Sequence, residues 1–294
     1  MASLTRAVAR ILSRTNRLEA AAARRQLDVL QATRKDLLRA LGVADPKTFR
    51  TFHQTEVLNA IDREIARNRA GSINAAAEDT RAAANLGAEH VAVVLGARVA
   101  DLSLVGVSPE LVSAVVDVTT DQIRAVWSEL GTSLKATVRR AALGVVDPYA
   151  AMTAVQKVLR DPKTFGSTEV RAEVIVRTEL NRTFGLATDA RMRQADARLG
   201  GGLKKYWLTQ VDRRTRLTHI TAGTRYAPGG NPGPIPVAAF FEVGKGRLLF
   251  PLDPRGPAEE VISCRCRSVP WVEDVTEAVL ESWREANGPC LCAA

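Results

Sequence analysis

The stretch LGGGLKKYWLTQV, residues 199–211, marks a change of secondary structure in a chain of 294 residues. The three glycines at 200–202 end the helical pattern before them, because glycine weakens a helix and favours its end. After them, Tyr206 and Trp207 lie in an alternating run that is typical of a β-strand. The sequence therefore predicts an α+β fold, in which a long, mainly helical N-terminal region precedes a small mixed α/β domain with short antiparallel strands.

Apolar periodicity predicts helices through most of the first 200 residues. One apolar stripe with helical spacing runs from Leu4 to Ala22, and a shifted stripe runs from Leu27 to Leu41. Three helix starts, at Asp45-Pro46, Ser108-Pro109 and Asp147-Pro148, pair a capping residue with a following proline. Together with Ser167, these signals predict helices at about 46–69, 73–101, 109–143, 148–160 and 167–199.

The chain after residue 211 predicts a loop, a hairpin and a closing strand. Residues 223–236 are rich in glycine and proline, which is typical of a long loop. The apolar runs AAFFEV and RLLFPL flank a Gly-Lys-Gly turn at 244–246 and predict a hairpin. We therefore expect a helical assembly region at 1–164, an α+β domain at 165–275, and an acidic C-terminal helix and tail at 276–294.

Composition argues against several classes of protein. No apolar run approaches the roughly 20 residues that a membrane-spanning helix needs. The N-terminus lacks the apolar segment and cleavage site of a secretory signal, so we expect synthesis in the cytoplasm. The chain has four cysteines, too few for a disulfide scaffold at this length, which agrees with a reducing compartment.

The net charge of +9 is concentrated in two segments. Residues 1–42 contain nine Arg or Lys against three Asp or Glu, and residues 200–271 contain eleven against five. This distribution suits sequence-independent contact with a polyanion such as DNA, and a solvated basic helix face is the alternative. The arginines that we expect to contact DNA or an acidic protein surface are Arg6, Arg10, Arg14, Arg17, Arg24 and Arg25.

These arginines surround an apolar stripe that needs a partner of its own. We expect the stripe to dock on a neighbouring protein through Leu4, Val8, Ile11 and Leu18. Because the arginines recur at about one per helical turn, we expect that they do not all face one side. Only a subset would then meet a phosphate backbone.

Two charged segments predict a polar network between the last long helix and the small domain. The segments are VRTELNRTFG, residues 176–185, and DRRTRLTH, residues 212–219. Buried arginine–carboxylate pairs hold geometry firmly, so we favour a structural role over catalysis here. The expected members are Arg177, Glu179, Asp212, Arg216 and His219.

The motif ISCRC holds two of the four cysteines. Cys264 and Cys266, with His219 and Asp212 upstream, supply ligand types for a tetrahedral zinc site. The C-x-C spacing differs from that of common zinc fingers, so a second interpretation stays open. In that interpretation the two small side chains lie on a strand and face the core, while Arg265 and Arg267 face outward.

The C-terminal part of the chain contains an ordered set of motifs. In sequence they are VRTELNRTFGLA, KYWLT, DRRTRLTH, a Gly/Pro-rich loop, FPLDPRGPAEEVISCRC and VPW. The set, which covers about residues 165–272, resembles the phage Mu F-like family of minor head proteins, which includes the SPP1-type head morphogenesis proteins. The family reads N-C-R-C where this chain has Ser263 before its cysteines, a departure that affects a local side-chain cap.

The resemblance implies a portal-associated minor capsid protein that acts in procapsid assembly and DNA packaging. The implied partners are portal protein, capsid or scaffold subunits and genomic DNA, and the implied location is the virion head after synthesis in the host cytoplasm. The resemblance implies no enzymatic activity and no cofactor. Some relatives carry a toxin domain after the family domain, but only 28 residues follow Cys266, so we expect none here. Cys290 and Cys292 lie outside the family pattern.

Enzyme signatures are absent from the sequence, which contains no P-loop, G-x-G-x-x-G, H-E-x-x-H or G-x-S-x-G motif. The second hypothesis is a cytosolic zinc-dependent enzyme or nuclease that uses His219, Cys264 and Cys266. In that case His219 would serve as the base or as a ligand, and a cysteine as the nucleophile or as a ligand.

Overall fold

Four long helices make up most of the computed structural model, which describes residues 2–42, 51–95, 107–142, 157 and 162–271. Local sequence accounts for two of their boundaries: Ser108 Oγ accepts the backbone N–H of Leu111 before the third helix, and glycines follow the fourth. The helices are α1 (Ala2–Gly42), α2 (Thr51–Leu95), α3 (Pro109–Ala142) and α4 (Pro162–Arg198).

The helix boundaries differ from the prediction in two places. The predicted helices at 46–69 and 73–101 form one continuous α2, because Gly71 is tolerated within an otherwise alanine-rich helix. The helix predicted from Ser167 begins earlier, at Pro162. The prediction for 109–143 is confirmed by α3, whereas the helix predicted at 148–160 falls largely outside the described residues.

The small β-structure follows the triple glycine, as predicted. Strand β1 (Lys204–Leu208) lies between β2 (Ile235–Pro236) and β5 (Arg267–Trp271), and both neighbours pair with it in antiparallel fashion. The register places Tyr206 opposite Val269. Long helices followed by short antiparallel strands confirm the predicted α+β class.

Three further short elements complete this part of the chain. The predicted hairpin is confirmed, with β3 (Phe241–Val243) paired to β4 (Gly246–Leu248). Helix α5 (Leu217–Tyr226) lies within and before the predicted loop, and a single helical turn, α6 (Ala258–Val261), precedes the cysteines. Both helices bring polar side chains towards the core of this region.

The packing divides the chain into two compact units. Unit 1 comprises residues 1–20, 79–115 and 177–294, and unit 2 comprises residues 21–78 and 116–176. This division differs from the predicted boundary between residues 164 and 165, because long helices contribute parts of their length to each unit. The predicted acidic helix and tail at 276–294 lies outside the described residues.

Two groups of side chains pack against the strands in the core of unit 1. An aromatic cluster surrounds Phe241, whose ring lies edge-on to Trp207 at 5.3 Å and to Tyr226 at 5.0 Å. The start of α1 packs onto the same unit, where Val8 lies with Tyr206 and Ile11 with Phe184. Apolar burial therefore fixes the sheet and the start of α1 within one core.

The described residues of unit 2 are helical and come almost entirely from α1, α2, α3 and α4. Its core includes Leu30, Ile61 and Leu130, each with an exposed fraction of 1% or less. A buried polar chain crosses this core, in which Trp127 Nε1 donates to Ser72 Oγ at 2.8 Å and Gln26 Nε2 donates to the Ser72 carbonyl at 3.0 Å. Buried polar groups are costly unless paired, and here each finds a partner.

Candidate metal centre

His219 lies in the first turn of α5 and is almost fully buried, with an exposed fraction of 2%. The helix begins after Arg216, whose extended backbone precedes the first turn. The imidazole ring packs edge-on against Trp207 of β1 at 5.6 Å between ring centroids. Thr209 Oγ1 also donates to the His219 carbonyl at 2.8 Å, so the histidine is held on both its side chain and its backbone.

Cys264 and Cys266 lie in the segment between α6 and β5, and both are buried. This segment is not a strand, contrary to the strand interpretation of ISCRC, although both cysteines do face the core as that interpretation expected. Ser263 has φ 56°, in the left-handed region, and its N–H donates to Thr178 Oγ1 of α4 at 3.0 Å. Asparagine adopts this conformation more readily than serine.

The three side chains converge on one point. His219 Nδ1 lies 3.5 Å from Cys264 Sγ and 3.4 Å from Cys266 Sγ. All three potential ligand atoms lie within 4.8 Å of one another, and all three residues are buried. The structure thus brings together three of the four candidate zinc ligands, whereas Asp212 pairs with Arg265 instead.

Glu260 of α6 fixes the orientation of the imidazole. Its Oε2 lies 3.0 Å from His219 Nε2 and accepts a hydrogen bond from Thr218 Oγ1 at 2.8 Å. A carboxylate accepts hydrogen bonds, so Nε2 carries the proton and the Nδ1 lone pair is directed at the two sulfurs. Sequence reasoning missed Glu260, because nothing in PAEEV distinguishes it from its neighbour Glu259.

The pKa values of the two thiols are shifted in opposite directions. Burial raises the pKa of Cys264 well above its ordinary value, whereas hydrogen bonding with Cys264 lowers the pKa of Cys266 well below its own. Backbone N–H groups also donate to the sulfurs, from Cys266 to Cys264 Sγ at 3.4 Å and from Gln210 to Cys266. The pair therefore favours a thiolate at Cys266.

Each member of the predicted polar network contacts a residue that the prediction did not include. Arg177 contacts Glu19 of α1, and Glu179 contacts Arg182. Asp212 contacts Arg265 at 2.6 Å, and Arg216 donates to the Ile262 carbonyl at 2.6 Å. Further residues, which the prediction did not include, also link the long helix to the small domain.

A buried chain of hydrogen bonds provides that link. Glu19 accepts from Arg177 Nη1 and from Asn181 Nδ2, and Asn181 Oδ1 accepts from Arg267 Nη2 at 2.6 Å. Arg267 is buried, with an exposed fraction of 6%, and its guanidinium lies over the Phe184 ring. The expectation that Arg267 faces outward is therefore wrong, while Arg265 is partly exposed. The polar NRT run gave the only signal for Asn181.

The predicted docking residues of α1 are placed mainly inside unit 1. Val8 and Ile11 are buried against the chain's own core, and Leu18 is partly buried beside Ile11. The side chain of Leu4 lies outside the described part of the structure. The chain itself thus covers Val8 and Ile11, and we do not propose them as a docking surface.

The six predicted contact arginines of α1 are all exposed. Within unit 1, Arg6, Arg10, Arg14 and Arg17 project within an arc of about 80° around α1, because each residue of an α-helix turns it by about 100°. These four arginines therefore form a subset that shares one face of α1. Arg14 pairs with Glu89 of α2 at 2.7 Å.

Comparison with models of protein families, with curated proteins and with solved structures found no match for this chain. Among the described residues, every helix is too short or too polar to cross a lipid bilayer.

Proposed function

We propose that this chain is a minor capsid protein of a tailed phage or prophage, associated with the portal and acting in procapsid assembly and DNA packaging. The observation that carries the proposal is that the separate motifs of the Mu F-like resemblance contact one another in unit 1. Asn181 of the first motif bonds to Arg267 beside the last, and Asp212 of the third pairs with Arg265 within SCRC.

These contacts give the ordered motif set a physical reason to occur together. Hydrogen bonds between charged side chains fix distance and direction, so each motif constrains the residue types of the others. His219 in the DRRTRLTH motif likewise faces both cysteines of SCRC. A shared structural unit supports the resemblance better than any one short motif, which alone would be weak.

The expected partners are portal protein, capsid or scaffold subunits, and genomic DNA without sequence preference. The exposed arginine face of α1 supports a contact with a polyanion or an acidic protein surface. We place the protein in the head or portal region of the virion, after synthesis in the host cytoplasm. We propose an assembly role without catalysis and without a catalytic cofactor.

The alternative is a zinc-dependent enzyme or nuclease at His219, Cys264 and Cys266. Catalytic zinc needs an open coordination position that a substrate can reach. All three side chains are buried, with exposed fractions of 2% to 3%, which argues against such access. This observation favours the assembly role over the enzyme.

The decisive experiment is to locate the protein in assembled particles. Virions and procapsids purified on density gradients are analysed by mass spectrometry, and tagged portal protein is purified from infected or induced cells. We expect the chain to sediment with the particles and to copurify with portal protein, while an abundant host protein of similar mass does neither. Absence of the chain from both the particles and the portal complexes would refute the proposal.

A further inference from the structure

We propose that His219 Nδ1, Cys264 Sγ and Cys266 Sγ bind a structural zinc ion that ties helix α5 to the segment entering strand β5. The proposal concerns the stability of unit 1 and does not depend on the proposed role in head assembly. It also differs from the enzyme hypothesis, because the ion would hold the fold and would meet no substrate.

The distances fit a tetrahedral ion. Zinc lies about 2.3 Å from a thiolate and about 2.0–2.1 Å from an imidazole nitrogen, so tetrahedral angles place nitrogen and sulfur about 3.5 Å apart. The structure has Nδ1···Sγ separations of 3.5 and 3.4 Å. The nitrogen therefore already lies from each sulfur at the separation that shared coordination requires, and the two sulfurs lie within 4.8 Å of each other.

A metal explains this arrangement better than hydrogen bonding alone. The Nδ1 lone pair of a neutral imidazole accepts one hydrogen bond, yet two sulfur atoms lie at nearly equal distances from it. Without a metal, one thiol would therefore have to bond to the other sulfur instead of to this nitrogen. A zinc ion between the three atoms satisfies both sulfurs and the nitrogen at once.

The surrounding groups are those that orient metal ligands. Histidine ligands commonly donate their other ring nitrogen to a carboxylate, and Glu260 takes this position on His219 Nε2 at 3.0 Å. The backbone N–H of Cys266 donates to Cys264 Sγ, and that of Gln210 donates to Cys266. Such bonds stabilise thiolate charge in a buried site.

The chemistry of the donors selects the ion, and burial selects its role. Thiolate and imidazole donors suit zinc and disfavour magnesium and calcium, which prefer oxygen. Three protein donors leave one tetrahedral position for a water molecule. Because the donors are buried beside Trp207, this water would be enclosed. The site thus fits a structural ion.

The first test measures zinc in the full-length chain purified without chelators. We expect about one zinc ion per chain, released stoichiometrically by an organomercurial that titrates thiolates. We also expect the cobalt-substituted protein to show thiolate-to-cobalt charge transfer and the intense visible bands of a four-coordinate ion. Protein that contains no zinc and takes up neither metal would overturn the proposal.

Two double variants then locate the ion. Cys264→Ser/Cys266→Ser should lose the zinc, whereas the matched control Cys290→Ser/Cys292→Ser, which alters the other C-x-C pair, should keep it. Retention by the first variant, or loss from the control, would place the metal elsewhere and refute the assignment. If the first variant does not fold, cobalt spectra of the folded control variant still decide, because only two thiolates remain to bind.

Glu260→Gln tests the orienting carboxylate separately. Loss of such a partner typically weakens metal affinity by about 10- to 100-fold. We therefore expect this reduction in competition with a chelating indicator, with Glu259→Gln as the neighbouring control. Equal affinities in the two variants would contradict the orientation of His219 described above.

Discussion

His90 on α2 is a fully buried histidine whose two ring nitrogens make no hydrogen bond of good geometry. Its ring packs at 5.6 Å from that of Phe184, and the charge of Arg267 acts on it. Burial, followed by Arg267, lowers the pKa of His90 from 6.5 to about 4. The folded chain therefore holds this side chain neutral at a pH where the unfolded chain protonates it.

We expect unit 1 to lose stability in acid because of His90. Between pH 6.5 and pH 4 the unfolded state binds one more proton at this site, so the free energy of unfolding falls as the pH falls, by about 3 kcal/mol in total. Urea unfolding at pH 7 and pH 4 measures the loss. His90→Leu should remove this part of the pH dependence, and an unchanged dependence in that variant would contradict the assignment.

Two charged residues of the predicted network differ in their expected contributions. Arg177 neutralises Glu19, whose side chain is only 6% exposed, so Arg177→Ala should destabilise the protein by about 3 kcal/mol. Asp212 is 38% exposed and pairs with a partly exposed Arg265, so Asp212→Ala should cost about 1 kcal/mol. Thermal and urea unfolding of both variants gives the comparison, and equal losses would contradict the difference in burial.

At the scale of elements, two glycines of α2 have opposite roles. A Cβ at Gly87 would collide with the Phe184 carbonyl and lie 2.9 Å from the Ala187 Cβ, both on α4. Because α2 and α4 approach closely at Gly87, Thr188 Oγ1 lies 3.3 Å from the Gly87 carbonyl. Gly71, in contrast, is exposed, and a Cβ there would have no neighbour within 4 Å.

These surroundings predict opposite effects of the same substitution on one helix. Gly87→Ala should destabilise the protein by about 1–3 kcal/mol, because α2 and α4 would have to separate. Gly71→Ala should stabilise it by about 1 kcal/mol, because alanine has the higher helix propensity. Differential scanning calorimetry should show melting temperatures that move in opposite directions. A gain in stability for Gly87→Ala would refute the close packing of the two helices.

At the scale of the whole molecule, the arginine face of α1 predicts a salt-dependent contact with DNA. Arg6, Arg10 and Arg17 are exposed on this face and are the residues to test, while Arg14, which pairs with Glu89, is left unchanged. Each phosphate contact contributes about −0.9 to the slope of log affinity against log salt on duplex DNA. Replacing the three arginines by glutamine should therefore reduce the slope by up to about 3, with no dependence on base sequence.

The matched control replaces Arg63, Arg67 and Arg69, which are exposed on α2, by glutamine. It removes the same charge and should leave the slope nearly unchanged. Substitution is preferable to deletion of α1, because deletion would uncover the core that Val8 and Ile11 fill. Equal weakening by both triple variants, or no binding by the wild-type protein at low salt, would show that the face is not a DNA contact.

The sequence by itself determined the features that depend on neighbouring residues. Ser108 with Pro109 starts α3, the triple glycine separates α4 from β1, and the Gly-Lys-Gly turn lies in the hairpin. Apolar periodicity also placed Val8 and Ile11 on the apolar face of α1, although not against the core of this chain that buries them. Capping, turn chemistry and periodicity are local properties, so they can be read along the chain.

Only the tertiary structure decided which distant side chains meet. The apolar face of α1 is covered by unit 1 itself, Arg267 is buried against Asn181 and Phe184, and Glu260 orients His219. In each case many residues separate the two partners in the sequence. The sequence also contains several residues of the same type that could have been the partner. The fold buries one of these candidates and removes water from it. Because an unpaired charge or polar group is costly in a buried position, the residue that can pair with it becomes its partner.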